Sequence, residues 1–595
     1  MMHRILTNLL RAVAALALLT ACRETPQPAN ESASSATEAR SRQEVLFEDG
    51  NYAMFIHFGL YSHLEGEWQG RTYRGNAEWI MYPLQAGIPV KEYMALAGDF
   101  NPSEFDADEV ARLAKDAGMK YIVITSKHHE GFAMFGSDAC DFNIRDATPY
   151  GRDLIGELVA ACRREGLGIG FYYSQFQDWT APGGGRGPAT DDSGRPVSFD
   201  EYFRTKCVPQ VEELTTRYGE IQILWFDTPG GMDRKYSEEL VELVHRNQPG
   251  CLVSSRVGNG LGDYKTLGDM ECPFGNVDGR WEGIDVMQVG WGYEREDKEW
   301  KSPEYVVKTL LSTIARGGTF MMNVGPDAKG RIPAPAAASL RKAGQWVAAH
   351  EDVVRGTGPS PWGHALPWGD AVTKGDKLYL LVYDWPADGR LTVPGLKTPV
   401  KRARMYGGRR LKVSSAGDDL SVRLKGVEPE PFVSMVELTL AGPAEADGTL
   451  AALDGYPTEL SVYFAACEGC RRFKDNWMHR YGEWKGKWAV DQWDANSSVT
   501  WTVRIPHPGY YDFDVEWKGS GSVDFALRTD AGDTLTNTQP AQPVYTWERA
   551  GWLYFDTPGV HTVTFTVSAP ADVTLASLRI TPVGGLAPCA TAGIP

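Results

Sequence analysis

The sequence has no Gly-rich dinucleotide or phosphate loop, no His-Glu-x-x-His pair, and no second cysteine pair to accompany Cys467-x-x-Cys470. The first absence removes nucleotide-cofactor chemistry and argues against an open doubly wound sheet. The other two leave zinc without a ligand set, so no metal and no cofactor is expected. The other seven of the nine cysteines are scattered singly, and Cys467 and Cys470 are expected to be structural, closing a small-loop disulfide if the chain is exported. Basic residues are outnumbered, 60 against 77, for a net charge of −17. That excludes nucleic acid and electrostatic adhesion to anionic lipid as partners.

Long apolar runs are missing too. The longest near the start, Ala12 to Leu19, is too short to span a membrane; behind Arg4 and Arg11 and ahead of small residues, it reads as an export signal. Leu19-Thr20-Ala21-Cys22 matches the bacterial lipobox, which makes Cys22 the lipidated first residue of the mature chain. Removing residues 1 to 21 takes away two Arg and no acid, leaving 58 basic against 77 acidic side chains, net −19. Residues 23–42, rich in Ser, Ala, Glu and Pro, are expected to be a flexible tether. The reading is an exported bacterial lipoprotein, periplasmic or on the outer surface, touching the membrane only through its lipid.

What the sequence has in quantity is aromatic residues, 19 Trp and 25 Tyr in 595 positions, a load common where sugars are stacked. At this length several domains are expected. From 43 to 345, short β-branched and aromatic runs alternate with helical patterns, the mark of parallel βα units. The strands are expected at Ala53–Phe58, Lys120–Thr125, Gly168–Tyr173, Ile221–Phe226, Cys251–Ser255, Val286–Gly290 and Thr319–Val324. The fold class is therefore α/β, a TIM-like (β/α) barrel, followed by two β-sandwich domains at 346–445 and 455–595. Pro443 to Asp454, small and acidic, reads as the hinge between them.

Barrel chemistry sits where strands end. His57 lies at the end of the first expected strand, His128 and His129 follow the second, and Tyr172 closes the third. Asp227 ends the fourth, Arg256 the fifth and Trp291 the sixth. Asp227 closes a run with no other charge and is followed by Thr228-Pro229-Gly230-Gly231, which makes it either a buried structural acid or a catalytic one.

Several motifs recur in order: Met-Phe-Ile-His-Phe-Gly-Leu-Tyr-Ser at 54–62, Ala-Glu-Trp at 77–79, Phe-Asn-Pro-Ser-Glu-Phe-Asp-Ala at 100–107, and Ala-Gly-Met-Lys-Tyr-Ile-Val-Ile-Thr-Ser-Lys-His-His-Glu-Gly-Phe at 117–132. Gly-Phe-Tyr-Tyr-Ser at 170–174, Asp178-Trp179, Leu-Trp-Phe-Asp at 224–227, Gly-Asp-Tyr-Lys-Thr at 262–266, Trp-Gly-Tyr at 291–293 and Asn-Val-Gly-Pro-Asp at 323–327 complete the set. Over residues 45 to 340 the chain thereby resembles glycoside hydrolase family 29, the α-L-fucosidases. The resemblance implies an exo-acting, retaining α-L-fucosidase working on fucosylated glycans, with Asp227 as nucleophile. It also implies that His57, Glu78, Trp79, His128, His129, Tyr172 and Arg256 line the fucose subsite and that Trp291 covers the sugar's apolar face.

Retention requires a second carboxyl as acid and base. Some relatives carry a Glu two residues after the Thr of Asp-Tyr-Lys-Thr, where this chain has Gly268; others use the Glu of a downstream Trp-Glu pair. Glu271 and Glu282 are therefore the acid/base candidates, with Asp269 third; the bland reading of Glu282 is a salt bridge to Arg280. Glu130 stands where many relatives have Asp, and Phe58 where many have Trp. Trp477, Trp484, Trp488, Trp493, Trp501 and Trp517, with Tyr481, Tyr510 and Tyr511, resemble a carbohydrate-binding module, although most are expected to fill a sandwich core. Two other readings stay open: a variant accepting L-galactose, and a catalytically inactive, surface-tethered glycan binder.

Overall fold

The structure, a computed structural model, describes residues 41–480, 483–568 and 572–583. Cys22 with its lipobox, most of the expected tether, and Tyr481 lie outside the described residues, as does the side chain of Trp484.

Eight parallel strands carry the site: β1 (Tyr52–Ile56), β2 (Tyr121–Lys127), β3 (Gly168–Tyr173), β4 (Ile223–Phe226), β5 (Leu252–Val253), β6 (Lys265–Thr266), β7 (Trp281–Val286) and β8 (Thr319–Val324). Their order is β5-β4-β3-β2-β1-β8-β7-β6. An isolated parallel bridge between Ser254 and Tyr264 joins the two ends, so the sheet curls into a TIM-like barrel. Positions in β1, β2, β3, β7 and β8 are buried throughout, as a sheet covered on both faces requires.

Strand alternation sorts these residues into two cores. Ala53, Phe55, Tyr121, Val123, Tyr172, Ile223, Trp225, Ile284 and Met321 fill the barrel. Tyr52, Met54, Ile56, Ile122, Ile124, Phe171, Leu224 and Phe226 pack outward. The helices covering that outer face include α2 (Ala107–Asp116) and α3 (Leu154–Glu165), which follow α1 (Arg42–Glu48) in the chain. Each starts on an Asp side chain that accepts a first-turn N–H, Asp106 from Glu109 at 2.9 Å and Asp153 from Gly156 at 3.0 Å. α3 stops at Gly166, whose φ of 74° suits a residue without Cβ.

Several sequence expectations are corrected. The tether does not reach residue 42, because α1 starts there with a Ser41–Glu44 capping box. α1 sends Phe47 into the barrel interior, 4.7 Å from the Tyr264 ring. The sixth expected strand, Val286–Gly290, is displaced: β7 is Trp281–Val286, where Glu282, Gly283 and Asp285 interrupt the apolar pattern. Trp291 consequently lies on the loop after β7, and Arg256 on a 3-10 turn, Ser255–Val257, after β5. β6, two residues long, carries no pattern to read. The barrel's helical layer continues past 345: its last long helix is Ala334–Ala349, and Val353 and Val354 of the next turn belong to its core.

From Gly369 onward the described chain is built of strands with one short 3-10 turn. A four-stranded sheet (Gly369–Lys374, Lys377–Val382, Ser434–Leu440, Val400–Met405) and a three-stranded one (Arg390–Val393, Asp419–Arg423, Lys412–Ala416) make the first block. Two six-stranded sheets make the second. The expected hinge is no free linker: Leu450–Ala451 pairs in parallel with Val503 and Arg504, and Leu450 and Leu453 belong to the cores of different blocks. Trp501, Trp517 and Tyr511 are fully buried, Trp493 nearly so, and Trp488 packs against the same core. Among the described residues of this block the exposed ring is Trp552, which sequence reading passed over, at 48% accessibility. Cys467 and Cys470 are both free thiols here.

Candidate active site

Inward alternation delivers two of the key groups. Phe55 points into the barrel, so His57, two residues on, points into its mouth; Ile223 and Trp225 do the same for Asp227. The mouth is a cavity of about 590 Å³ lined by Asp227, His57, Glu78, Trp79, His128, His129, Tyr172, Arg256 and Trp291, so the structure brings together every residue read as nucleophile or sugar-binding.

Asp227 is held from four directions. Tyr172 Oη donates to Oδ2 at 2.8 Å, and Arg256 Nη1 to Oδ1 at 3.0 Å. His129 Nε2 lies 3.5 Å from Oδ2. The backbone N–H of Thr228 donates to Oδ1 at 2.8 Å, and the Asp227 N–H is itself anchored on Gln175 Oε1 at 2.9 Å. Burial pushes the carboxyl up, but the Arg256 charge, His129 and the two side-chain hydrogen bonds more than offset it, leaving the pKa below its ordinary value. Asp227 is an ionised carboxylate aimed into a sugar-sized cavity.

The surrounding imidazoles are neutral. Burial takes His57 down to about 4, His129 down to about 3 and His128 well below its usual range. Their orientations are fixed by partners: His57 Nδ1 with Asn323 Oδ1 at 2.8 Å, and His129 Nδ1 with Ser174 Oγ at 2.7 Å. Burial also raises Glu78 to about 8. Its Oε2 accepts from the Gly292 N–H at 2.8 Å, while the buried Oε1 has no hydrogen-bond partner among the described residues. Trp79 and His129 line the cavity with their rings 5.1 Å apart, and Trp179 packs behind them at 4.9 and 5.5 Å.

An ionised carboxylate beside neutral imidazoles and aromatic rings in one cavity suits a carbohydrate. The profile of the Alpha-L-fucosidase family matches residues 18–352, more than half of the chain. The chain belongs to the α-L-fucosidase family. The α-L-fucosidase of Vibrio sp. strain EJY3 superposes with a TM-score of 0.73 at 28% identity, covering 90% of this chain and 97% of that one. Isoenzyme 1 from Paenibacillus thiaminolyticus gives 0.60 at 34%, covering 67% and 99%. Rat plasma α-L-fucosidase (Rattus norvegicus) is 29% identical over 370 residues, 58% of this chain and 78% of its own. This α-L-fucosidase-family chain is thus a glycoside hydrolase, and the family acts on fucosylated glycans.

The acid/base candidates separate in space. Glu282, second residue of β7, is fully buried beneath the cavity, where its Oε1 accepts from Trp225 Nε1 at 2.7 Å. It makes no bridge to Arg280, which pairs with Glu44 and Glu48 of α1 instead. Glu271 sits at the rim, tied to the Gly268 N–H at 2.9 Å and to Lys474. Asp269 alone of the three lines the cavity, and Arg256 Nη2 donates to its Oδ1. Sequence reading also missed Arg186, Lys474 and Asn476 as lining groups. Arg186 lies in a loop without pattern, and the other two come from a strand more than 200 residues downstream.

The buried groups set a pH profile for the protein's stability. Glu78, Glu130 and Glu282 are each raised by burial from 4.5 to about 8. The unfolded chain therefore releases protons that the folded one keeps, and stability falls as pH rises from 4.5 to 8. His57, His128 and His129 are depressed from 6.5, so unfolding takes up protons and stability falls as pH drops below 6.5. The two trends cancel between 4.5 and 6.5. Calorimetry should show a plateau of melting temperature there and a drop of about 5 °C or more by pH 8. Glu78→Gln should make the alkaline limb shallower by about a third, Glu130 and Glu282 supplying the rest; a melting temperature constant from pH 6 to 8 would contradict these protonation states.

Proposed function

We propose that this chain is an exo-acting, retaining hydrolase of terminal α-L-fucose, with Asp227 as nucleophile and Asp269 as general acid and base. The observation carrying the assignment is one guanidinium, Arg256, donating to both carboxyls across a single cavity. Asp227 attacks the anomeric carbon as its bond to the glycosidic oxygen breaks, and that oxygen takes the proton of Asp269. The resulting fucosyl ester is then displaced by water, whose proton returns to Asp269, so the anomeric configuration is restored after two inversions. Tyr172 and Arg256 orient the attacking carboxylate, and Trp291, buried at 5.0 Å from His57, offers an apolar face to the sugar.

The test is proton NMR of the first-formed fucose from an aryl α-L-fucoside, with Asp269→Ala and Glu271→Ala beside the unmutated chain. The α anomer should appear first. Azide should restore turnover in Asp269→Ala as α-fucosyl azide, since the small anion enters the gap left by the base and attacks the fucosyl ester from the face that water would use. Rescue in Glu271→Ala instead would reassign the acid/base, and the β anomer first would refute retention.

Export and lipid anchoring through Cys22 belong to the same proposal and rest on the sequence pattern. Palmitate labelling of the expressed chain, lost in Cys22→Ala, is the expected result; labelling that persists would exclude the lipobox reading.

A further inference from the structure

Lys474 and Asn476 belong to the second β block, on the strand Arg471–Arg480, yet they line the same cavity as Asp227. We propose that this strand supplies the leaving-group subsite, with Lys474 and Asn476 binding the neutral sugar to which fucose is attached. The inference rests on the fucosidase reading and on Asp269 as the acid, because the wall beside the acid is the wall beside the departing oxygen.

The placement follows from strand periodicity. Residues 474 and 476 share a face, while 475 and 477 take the other. Asp475 is bound there by Lys518 and by Tyr545 Oη at 2.8 Å, and Trp477 packs 5.4 Å from the Tyr545 ring. The Lys474–Asn476 face is thus turned to the barrel mouth by contacts on its reverse side. Opposite Asn476 the neighbouring strand carries Gly486; a Cβ there would meet Asn476 Oδ1 at 2.7 Å and Lys474 Cε at 3.1 Å. Glycine keeps both side chains free to extend into the cleft.

The barrel loop facing them is docked on the same block. Glu271 pairs with Lys474, and Phe274 lies 6.2 Å from Tyr463 and 6.4 Å from Phe464. A Cβ on Gly268 would stand 3.6 Å from Lys474 Nζ, so at this point the two domains share one surface. Glu271 balances the Lys474 charge, and Asn476 is an exposed amide with two donors and an acceptor. That combination suits hydroxyl or acetamido groups of a neutral pyranose rather than a carboxylated or sulfated one.

The experiment uses the full chain carrying Asp227→Ala, so that bound sugar persists. Titration calorimetry compares methyl α-L-fucoside with four fucosyl disaccharides joined α1,2, α1,3, α1,4 and α1,6. At least one disaccharide should bind about tenfold tighter than the methyl glycoside. Adding Asn476→Ala, or separately Lys474→Met, should shrink that ratio to about twofold or less. If no disaccharide gains over the methyl glycoside, or the gain survives both substitutions, the subsite is refuted. Absence of methyl fucoside binding would instead sink the fucose reading on which it rests. Comparing each ratio within one variant keeps a general loss of folding from imitating the effect.

Discussion

Asp227→Ala is expected to lower turnover of an aryl α-L-fucoside by about four orders of magnitude or more, the scale seen when a residue that forms the covalent bond is removed. The loss is chemical because the substitution leaves the frame in place. Tyr172 stays stacked on Trp225 at 5.4 Å, Arg256 keeps Asp269 and the Leu267 carbonyl, and His129 keeps Ser174. Melting temperature should therefore change little, since Arg256, the charge that faced Asp227, keeps Asp269 as its counter-charge. A well-folded variant retaining more than about 1% of turnover would remove Asp227 from the covalent step.

The second large effect is structural. Asp178→Asn should destabilise the protein by about 3–5 kcal/mol, because it leaves two buried ammonium groups without a counter-charge. Lys127 Nζ and Lys206 Nζ lie 3.0 and 2.8 Å from Asp178 Oδ2, and the Asp178 and Lys127 side chains have no exposure to solvent. Burial pushes the Asp178 pKa up, but the two lysines reverse the sign and hold it well below its ordinary value. Its other oxygen accepts from the Ala181 N–H at 3.0 Å. Lys206 also donates to the Gly131 carbonyl at 3.0 Å, and the Trp179 N–H donates to the His129 carbonyl at 2.8 Å. The cluster thus clamps the loop bearing His128 and His129 against the loop after β3. Urea unfolding measures the loss; a change under about 1 kcal/mol would show that the two lysines find other partners or lose their protons.

How much of this was legible beforehand depended on where each signal lay in the chain. Strands such as Gly168–Tyr173 and Thr319–Val324 announce themselves because a strand buried on both faces must be apolar along its whole length. β6 and β7 do not, since one has two residues and the other carries Glu282 and Asp285. Around Asp227, His57, His128, His129 and Tyr172 were readable because they stand at or just past strand ends, whereas Glu78 and Trp79, on the 3-10 turn Ala77–Trp79, were readable only from the order of motifs. The acid/base was not, because its loop is irregular and Gly268 occupies the position a relative would use. Lys474 and Asn476 were illegible for a different reason: a polar pair on an amphipathic strand reads as solvated surface, and only tertiary packing turns it toward the site.

The barrel's seam has a dynamic consequence. β5 and β6 are two residues each and meet through the single Ser254–Tyr264 bridge, so this stretch of the ring has the fewest ladder bonds to break. Local opening free energy is lowest where cooperative contacts are fewest, and amide hydrogen exchange should be fastest along residues 254 to 270. Arg256 and Asp269 flank that seam. Arg256 and Asp269, paired with each other, can therefore loosen together while β1, β2 and β8 stay closed, so that the cavity would open on this side without disturbing the rest of the fold.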